Sequence, residues 1–378
     1  MAIKIKIIDG NHAIAEDGTR FLIRDDSRGM DKKMWINKED GGFLDSYLIK
    51  FATRTKRAIG QFNLYNEVLC SRLCSELGLN HVDYNLCEVE MSDGSVKNGV
   101  ICQTYKKTPN KREVNGKTLY IDYCQAWYDN NFGQIPKIEL NTTHAYLDQL
   151  KTRFVSRKMI MSPETESRLD LELFVLAVFD YATCQIDRHW GNVGWLHNNI
   201  FEDSDFKIEL LPIYDNECAF LLDDMTEEVY GKIVGQINDK KRKNVVVDMI
   251  NRKKNHSPCL GIQTSLVRIK EGTQDFLLPL PNDAEGLSNA MILAREIAEE
   301  SLVDPKKGLF CERLMSFDMH AFLEKCDFIS KEHEDVKQIY EFVWNTRMKL
   351  LKDSFEHVKN TYRGDGKDAT DLSLLQRT

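Results

Sequence analysis

A chain of 378 residues with 42% hydrophobic and 29% charged positions has an ordinary globular composition and enough length for a sizeable core. Its formal net charge of −8 argues against broad binding to nucleic acid or anionic membranes, and no apolar run approaches the roughly 20 residues that span a bilayer. The 10 cysteines form no Cys-x-x-Cys pair and the nine histidines no His-Glu-x-x-His pair, so zinc-ribbon, thioredoxin-like and metalloprotease motifs are unsupported. Cys70 and Cys74, four apart on an expected helix, read as small buried residues rather than metal ligands. The opening alternates like a strand, with neither a signal-peptide apolar region nor a Met-Gly start, so the expectation is a cytoplasmic protein with reduced thiols.

Residues 1–59 read as strands and turns. Strands are expected at 3–8, 12–15 and 19–24, separated by Asp9-Gly-Asn11 and Asp17-Gly18. A polar segment at 25–33 precedes a strand at 34–38, and Glu39-Asp-Gly-Gly42 is a hairpin signal leading to 43–51. This predicts three consecutive antiparallel strands with Lys50 near the end of the third. Lys50 is flanked by apolar residues in Tyr47-Leu-Ile-Lys-Phe51, unlike a random surface charge, although an edge-strand lysine that discourages aggregation would read the same way.

Two loops can cradle phosphate. Gly41-Gly42 joins the second and third of these strands and is assigned to a plain turn. In a kinase the phosphate loop joins the first and second strands and the lysine sits on the third. That order selects 27–33, with Ser27 and the backbone at Gly29 and Met30 as donors. A helix at 61–77, with Leu64, Val68, Leu69 and Leu73 on its apolar stripe, ends at Gly78. Glu67, in its middle, is preferred to Glu76 at its far end as the partner of Lys50. Strands at 82–91 and 96–105 follow, and the backbone around Gln103 and Tyr105 is the expected place to hydrogen-bond an adenine edge.

An apolar helix at 167–182 leads to Gln185-Ile-Asp-Arg-His-Trp-Gly-Asn-Val-Gly-Trp195, and a strand at 208–214 delivers Asp215 in Leu211-Pro-Ile-Tyr-Asp-Asn-Glu217. Asx-rich turns at strand ends are common, and Asp187 and Asn192 alone would be read that way. With Asp215 at the end of the next strand, the set suits phosphoryl transfer. Asp187 would orient the attacking hydroxyl while Asn192 and Asp215 hold Mg²⁺ against the phosphates. Arg188 and His189 would either stabilise developing phosphoryl charge or brace the loop, and Trp190 and Trp195 read as core aromatics. Beyond 220 the periodicity is helical, at 225–237, 282–300, 306–325 and 333–359, with a polar tail from 360. Basic runs at 240–243 and 252–254 read as solvated faces.

Taken together, Tyr47-Leu-Ile-Lys50, Asn66-Glu67, Ile186-Asp-Arg-His-Trp-Gly-Asn192 and Pro212-Ile-Tyr-Asp215 resemble the HipA-like serine/threonine kinases and their compact relatives of the CtkA type. The Asp-Arg-His-x-Gly-Asn wording is also similar to that of phosphatidylinositol 3-/4-kinases. The resemblance implies an α+β, two-lobed protein-kinase-like fold, with a small antiparallel-sheet lobe (1–105) and a large helical lobe (106–360); the polar tail (361–378), with its two glycines, is expected to be flexible. It implies ATP and Mg²⁺ as cofactors and a protein substrate, with the chain itself as one acceptor. Lys50 would contact the nucleotide phosphates with Glu67 holding it, Asp187 would accept the hydroxyl proton, and Asn192 and Asp215 would hold the metal. The chain departs from most protein kinases in reading Asp-Arg-His for His-Arg-Asp and Asp215-Asn-Glu217 for Asp-Phe-Gly, and in lacking an Ala-Pro-Glu segment. The alternatives are a phosphoinositide or small-molecule kinase with the same residues, or an ATP-binding pseudokinase scaffold.

Overall fold

The computed structural model describes residues 2–24, 33–42, 45–52, 61–105, 112–115, 162–185, 188, 192–197, 208–220, 222, 227–239, 242–252, 266–271, 274–279 and 290–364. Strands β1 (Ile3–Ile7), β2 (His12–Ala15), β3 (Arg20–Arg24), β4 (Lys33–Lys38) and β5 (Ser46–Phe51) precede helix α1 (Gln61–Glu76), strands β6 (Tyr84–Glu90), β7 (Val96–Gln103) and β8 (Arg112–Asn115), and helix α2 (Pro163–Ala182). Then come β9 (Gly194–His197), β10 (Ile208–Leu210), α3 (Glu227–Asn238), α4 (Lys243–Arg252), β11 (Leu266–Glu271) and β12 (Gln274–Pro279). Helices α5 (Ala290–Val303), α6 (Pro305–Met315), α7 (Met319–Glu324) and α8 (Val336–Gly364) complete the described chain. No helix among the described residues is long and apolar enough to cross a membrane.

The chain divides into two compact units, the first made of Met1–Arg112, Leu211–Lys240 and His320–Tyr340 and the second of the remainder. In the first unit, strands in the order β1-β2-β3-β4-β5-β7-β6 form a closed seven-stranded barrel. This overturns the expected small antiparallel-sheet lobe. The strands β3, β4 and β5 are consecutive antiparallel neighbours, but β1 pairs in parallel with β6, from Ile3 opposite Cys87 to Lys6 opposite Glu90, and shuts the ring. An open sheet would leave β1 and β6 as bare edges with unpaired N–H and C=O groups; closure removes both edges. The alternation in Ile-Lys-Ile-Lys-Ile makes closure favourable, because Ile5 and Ile7 enter the barrel core beside Cys87 and Val89. Lys6 meanwhile stays outside and pairs with Glu90 at 2.7 Å.

The period-2 rule also fixes the barrel's outer face. On β7, Ile101 points into the barrel core, whereas Val100 and Cys102 pack outward with Leu64 and Val68 of α1. Helix α1 stops at a glycine-dependent cap. Gly78 takes φ +60°, its N–H bonds to Ser75 O at 3.0 Å, and Leu79 N–H reaches Cys74 O at 2.8 Å. Cys70 and Cys74 are fully buried on this helix.

In the second unit, α2 starts as its sequence directs. Ser162 accepts from Thr165 N–H at 3.2 Å, Pro163 opens the helix, and Glu164 and Glu166 sit in the first turn. Strands β10-β9-β8 form a small sheet. The expected helical run to the carboxyl end is interrupted by the hairpin β11–β12, whose short runs carry no helical period. Helices α5 and α6 then follow, whereas nearly all of α7 falls in the first unit.

Candidate functional site

Three elements of the first unit bring one ammonium and several carboxylates together. On β5, Ile49 enters the barrel core, so its neighbours Leu48 and Lys50 face outward toward α1. Lys50 lies opposite Val100 on β7, and β7 approaches closely because it carries Gly99: a Cβ there would stand 2.7 Å from Lys50 O. The segment that carries Asp215 is pinned beside them. Ile213 N–H donates to Asn80 O at 2.9 Å, Val82 N–H donates to Ile213 O at 3.0 Å, and Tyr214 stacks on Tyr105 with centroids 6.2 Å apart.

Lys50 is 5% exposed, and its Nζ donates to Glu67 Oε1 and to Asp215 Oδ1, with Glu217 Oε2 at 4.0 Å. The Tyr84 ring lies 5.8 Å from the ammonium. Burial by itself favours the neutral amine, but the carboxylates of Asp215 and Glu67, with Tyr84 and Glu217, outweigh it and hold the Lys50 pKa well above its ordinary value. Burial, reinforced by Glu67, likewise pushes the Tyr84 hydroxyl well up, and pushes the Cys102 thiol up to about 12. The Lys50 side chain is therefore cationic through the physiological range. Glu76, the rival of Glu67, is exposed at the end of α1.

Glu67 uses both its oxygens: Oε2 accepts the Asn216 N–H at 2.8 Å while Oε1 holds Lys50. Its neighbour Asn66 donates to Glu217 O at 2.7 Å and Ala219 O at 2.9 Å. Asp215 itself has φ +60°, the left-handed region that side chains with a Cβ adopt at a cost. Glu67, Asp215 and Glu217 can each offer an oxygen within 4.8 Å of the others. These are hard donors of the kind Mg²⁺ takes.

The structure thus brings together Lys50, Glu67 and Asp215, with Tyr105 touching the same segment through Tyr214. Gln103 ends β7 opposite Tyr47. In the second unit, Asn192 is 8% exposed at the entrance to β9, and Trp195 is fully buried. Arg188 is fully buried with its guanidinium forked onto Asp180, at 3.2–3.3 Å. Ser27, Gly29, Met30, Asp187, His189 and Trp190 lie outside the described residues. Asn66, Tyr84 and Glu217 took no role in the sequence reading. Glu217 had a visible signal, an acid two residues after Asp215, whereas Asn66 acts on backbone carbonyls that no side-chain pattern marks.

No protein-family model and no curated protein matches the chain. Among solved structures it is similar to one described as the Helicobacter pylori proinflammatory kinase CtkA, at 14% identity and a TM-score of 0.54, over 89% of this chain and 96% of that one. At this identity the likeness is one of fold: a CtkA-like, kinase-related fold whose amino-terminal part here is a closed barrel.

Proposed function

We propose that the chain is an ATP-dependent phosphotransferase of the CtkA type, acting on serine or threonine hydroxyls of protein, its own chain included. The observation that carries this reading is the buried contact of Lys50 with Glu67 and Asp215, assembled from a strand, a helix and a loop far apart in sequence. The fold likeness to a solved kinase supports it. A lysine so held keeps its charge and its aim, which is what contact with phosphate oxygens requires.

In this reading Lys50 binds phosphate oxygens of ATP, Glu67 fixes the ammonium, and Asp215 with Asn192 supplies oxygens to Mg²⁺, with Ser27 and Gly29 as phosphate donors and Gln103 and Tyr105 near the adenine. Bound Mg²⁺ neutralises the phosphates and the charge that develops on them. Asp187 accepts the hydroxyl proton as the new O–P bond forms and the bond to the β-phosphate oxygen breaks. Catalysis rests on positioning and charge stabilisation.

The test is intact-mass measurement after incubation with Mg²⁺ and ATP, with Asp187→Ala alongside. The expected result is phosphate added to the wild type, with Asp187→Ala slower by on the order of 10² to 10⁴. Equal rates would remove Asp187 from the role of base. Thermal stabilisation by nucleotide without added phosphate would favour a lipid or small-molecule acceptor, or a pseudokinase. Absence of both effects would sink the reading.

A further inference from the structure

The turn that carries Asp215 is held in place by two successive side chains of α1. Glu67 accepts the N–H of Asn216, and Asn66 donates to the carbonyls of Glu217 and Ala219, so three backbone groups within four residues are gripped from one helix position and the next. The stretch needs gripping. Asp215 at φ +60° and Phe220 at φ +57° both sit in the left-handed region, where each non-glycine residue costs on the order of 1 kcal/mol or more.

The chemistry of position 66 is narrow. The side chain is completely buried, and each hydrogen of its amide goes to a separate carbonyl. An aspartate there would aim carboxylate oxygens at two carbonyl oxygens, and an aliphatic residue would leave both carbonyls without their donor. Asn66 Oδ1 is buried with no hydrogen-bond partner among the described residues, so the amide is held by its two donors alone.

We propose that Asn66 is a positioning residue for the divalent cation that accompanies the nucleoside triphosphate. By holding the carbonyls of Glu217 and Ala219 it fixes the left-handed backbone at Asp215 and so aims the Asp215 carboxylate. The proposal rests on the phosphotransferase reading and adds a residue to it. Groups that orient metal-binding side chains typically contribute about 10- to 100-fold in metal affinity, and Asn66 falls in that class. Because Asn66 and Glu67 are adjacent, the aim of Asp215 and the hold on Lys50 are set by the same turn of α1.

The experiment measures binding of a non-hydrolysable ATP analogue by calorimetry as Mg²⁺ is varied, for the wild type, Asn66→Asp and Asn66→Thr, with the melting temperature of each unliganded protein recorded. Asn66→Asp keeps the shape and removes both donors; Asn66→Thr keeps one donor and covers the case in which the aspartate variant does not fold. The expected result is a half-saturating Mg²⁺ concentration raised about 10-fold or more in Asn66→Asp and by less in Asn66→Thr, while analogue binding in EDTA changes little. A folded variant with a lower melting temperature and an unchanged Mg²⁺ requirement would overturn the proposal and make Asn66 a stability residue. If the wild type shows no Mg²⁺-dependent analogue binding, the phosphotransferase reading fails, and this proposal fails with it. A wild type that binds while both variants match it sinks this proposal alone.

Discussion

Two buried lysines, one in each unit, look alike at first sight and differ in what surrounds them. Lys50 is 5% exposed and Lys307 is 4% exposed; each is clamped between carboxylates and each lies by an aromatic ring. Lys307 on α6 reaches Asp170 of α2 at 2.8 Å and Glu300 of α5 at 2.7 Å, with the Phe174 ring 4.9 Å away. All three of its elements are regular helices, so this contact ties helix to helix. Lys50 faces a third carboxylate, Glu217, and one of its partners, Asp215, rides on a turn with left-handed backbone. A buried, clamped lysine is thus not in itself a sign of chemistry. Surplus negative charge and locally strained backbone are what separate the candidate site from a structural rivet.

The comparison breaks if the two lysines respond alike to removal. Lys50→Met is expected to lower phosphate transfer by about 10²- to 10³-fold or more, the range for losing a preorganised charge contact to the reacting group. Lys307→Met is expected to leave turnover per folded molecule unchanged while costing on the order of 3 kcal/mol in denaturant unfolding, because Asp170 and Glu300 lose a shared buried cation. Single-turnover rates and urea midpoints on both variants decide it. Equal losses of turnover would mean that the Lys50 cluster is no more specialised than the other.

The third carboxylate sharpens the difference by a smaller amount. Glu217 places negative charge 4.0 Å from the Lys50 ammonium, where at an effective dielectric near 20 a unit charge is worth about 4 kcal/mol before screening by the other partners. It therefore opposes phosphate oxygens that arrive without a cation. Glu217→Gln should tighten nucleotide binding in EDTA by roughly tenfold, the part of that Coulomb energy left after screening, and should raise the half-saturating Mg²⁺ concentration far less than Asp215→Asn does. Fluorescent-nucleotide titrations with and without Mg²⁺ test this, and an unchanged EDTA affinity would show that the third acid is electrostatically silent.

What could be read from the sequence follows from the range of each interaction. The pairing of Lys50 with Glu67 was legible because it rests on local features: the apolar flanks of Lys50 and the place of Glu67 in the middle of α1, with Glu76 at its far end. The capping signals of α2, Ser162-Pro-Glu-Thr-Glu166, are local too, but the helix was expected only from 167 and starts at Pro163. Barrel closure was not legible: the pairing of β1 with β6 joins residues more than eighty apart, and nothing in Ile-Lys-Ile-Lys-Ile names its partner. Short strands in isolation read equally as an open sheet, which is why the antiparallel lobe was expected. The Asp180 partner of Arg188, eight residues back on α2, was not legible either, since nothing in the loop's own residues names it. Asn66 stands in the quoted Asn66-Glu67 pair, but its role was not legible, since its partners are backbone carbonyls, which every residue has.

The smallest effect concerns the second cluster's own surplus charge. Glu296 lies one turn before Glu300 on α5, and burial, reinforced by Glu300 and Glu299, raises its pKa from the usual carboxylate range to about 7. Lys307 compensates Glu300 and Asp170 but leaves this acid uncompensated. The folded state holds the Glu296 proton more tightly than the unfolded chain does, so the folded state bears no penalty below about pH 4.5 and a growing one as pH rises to about 7, where it levels off. Glu296→Gln removes the charge at every pH. It should raise the melting temperature at pH 8 by about 2–4 °C, corresponding to roughly 1 kcal/mol after discounting for partial exposure, and leave it unchanged at pH 4.5. The same gain at both pH values would point to helix propensity or packing. The expected pattern would mean that the buried acid beside the helical cluster, which faces neither lysine, is one that stability would be better without.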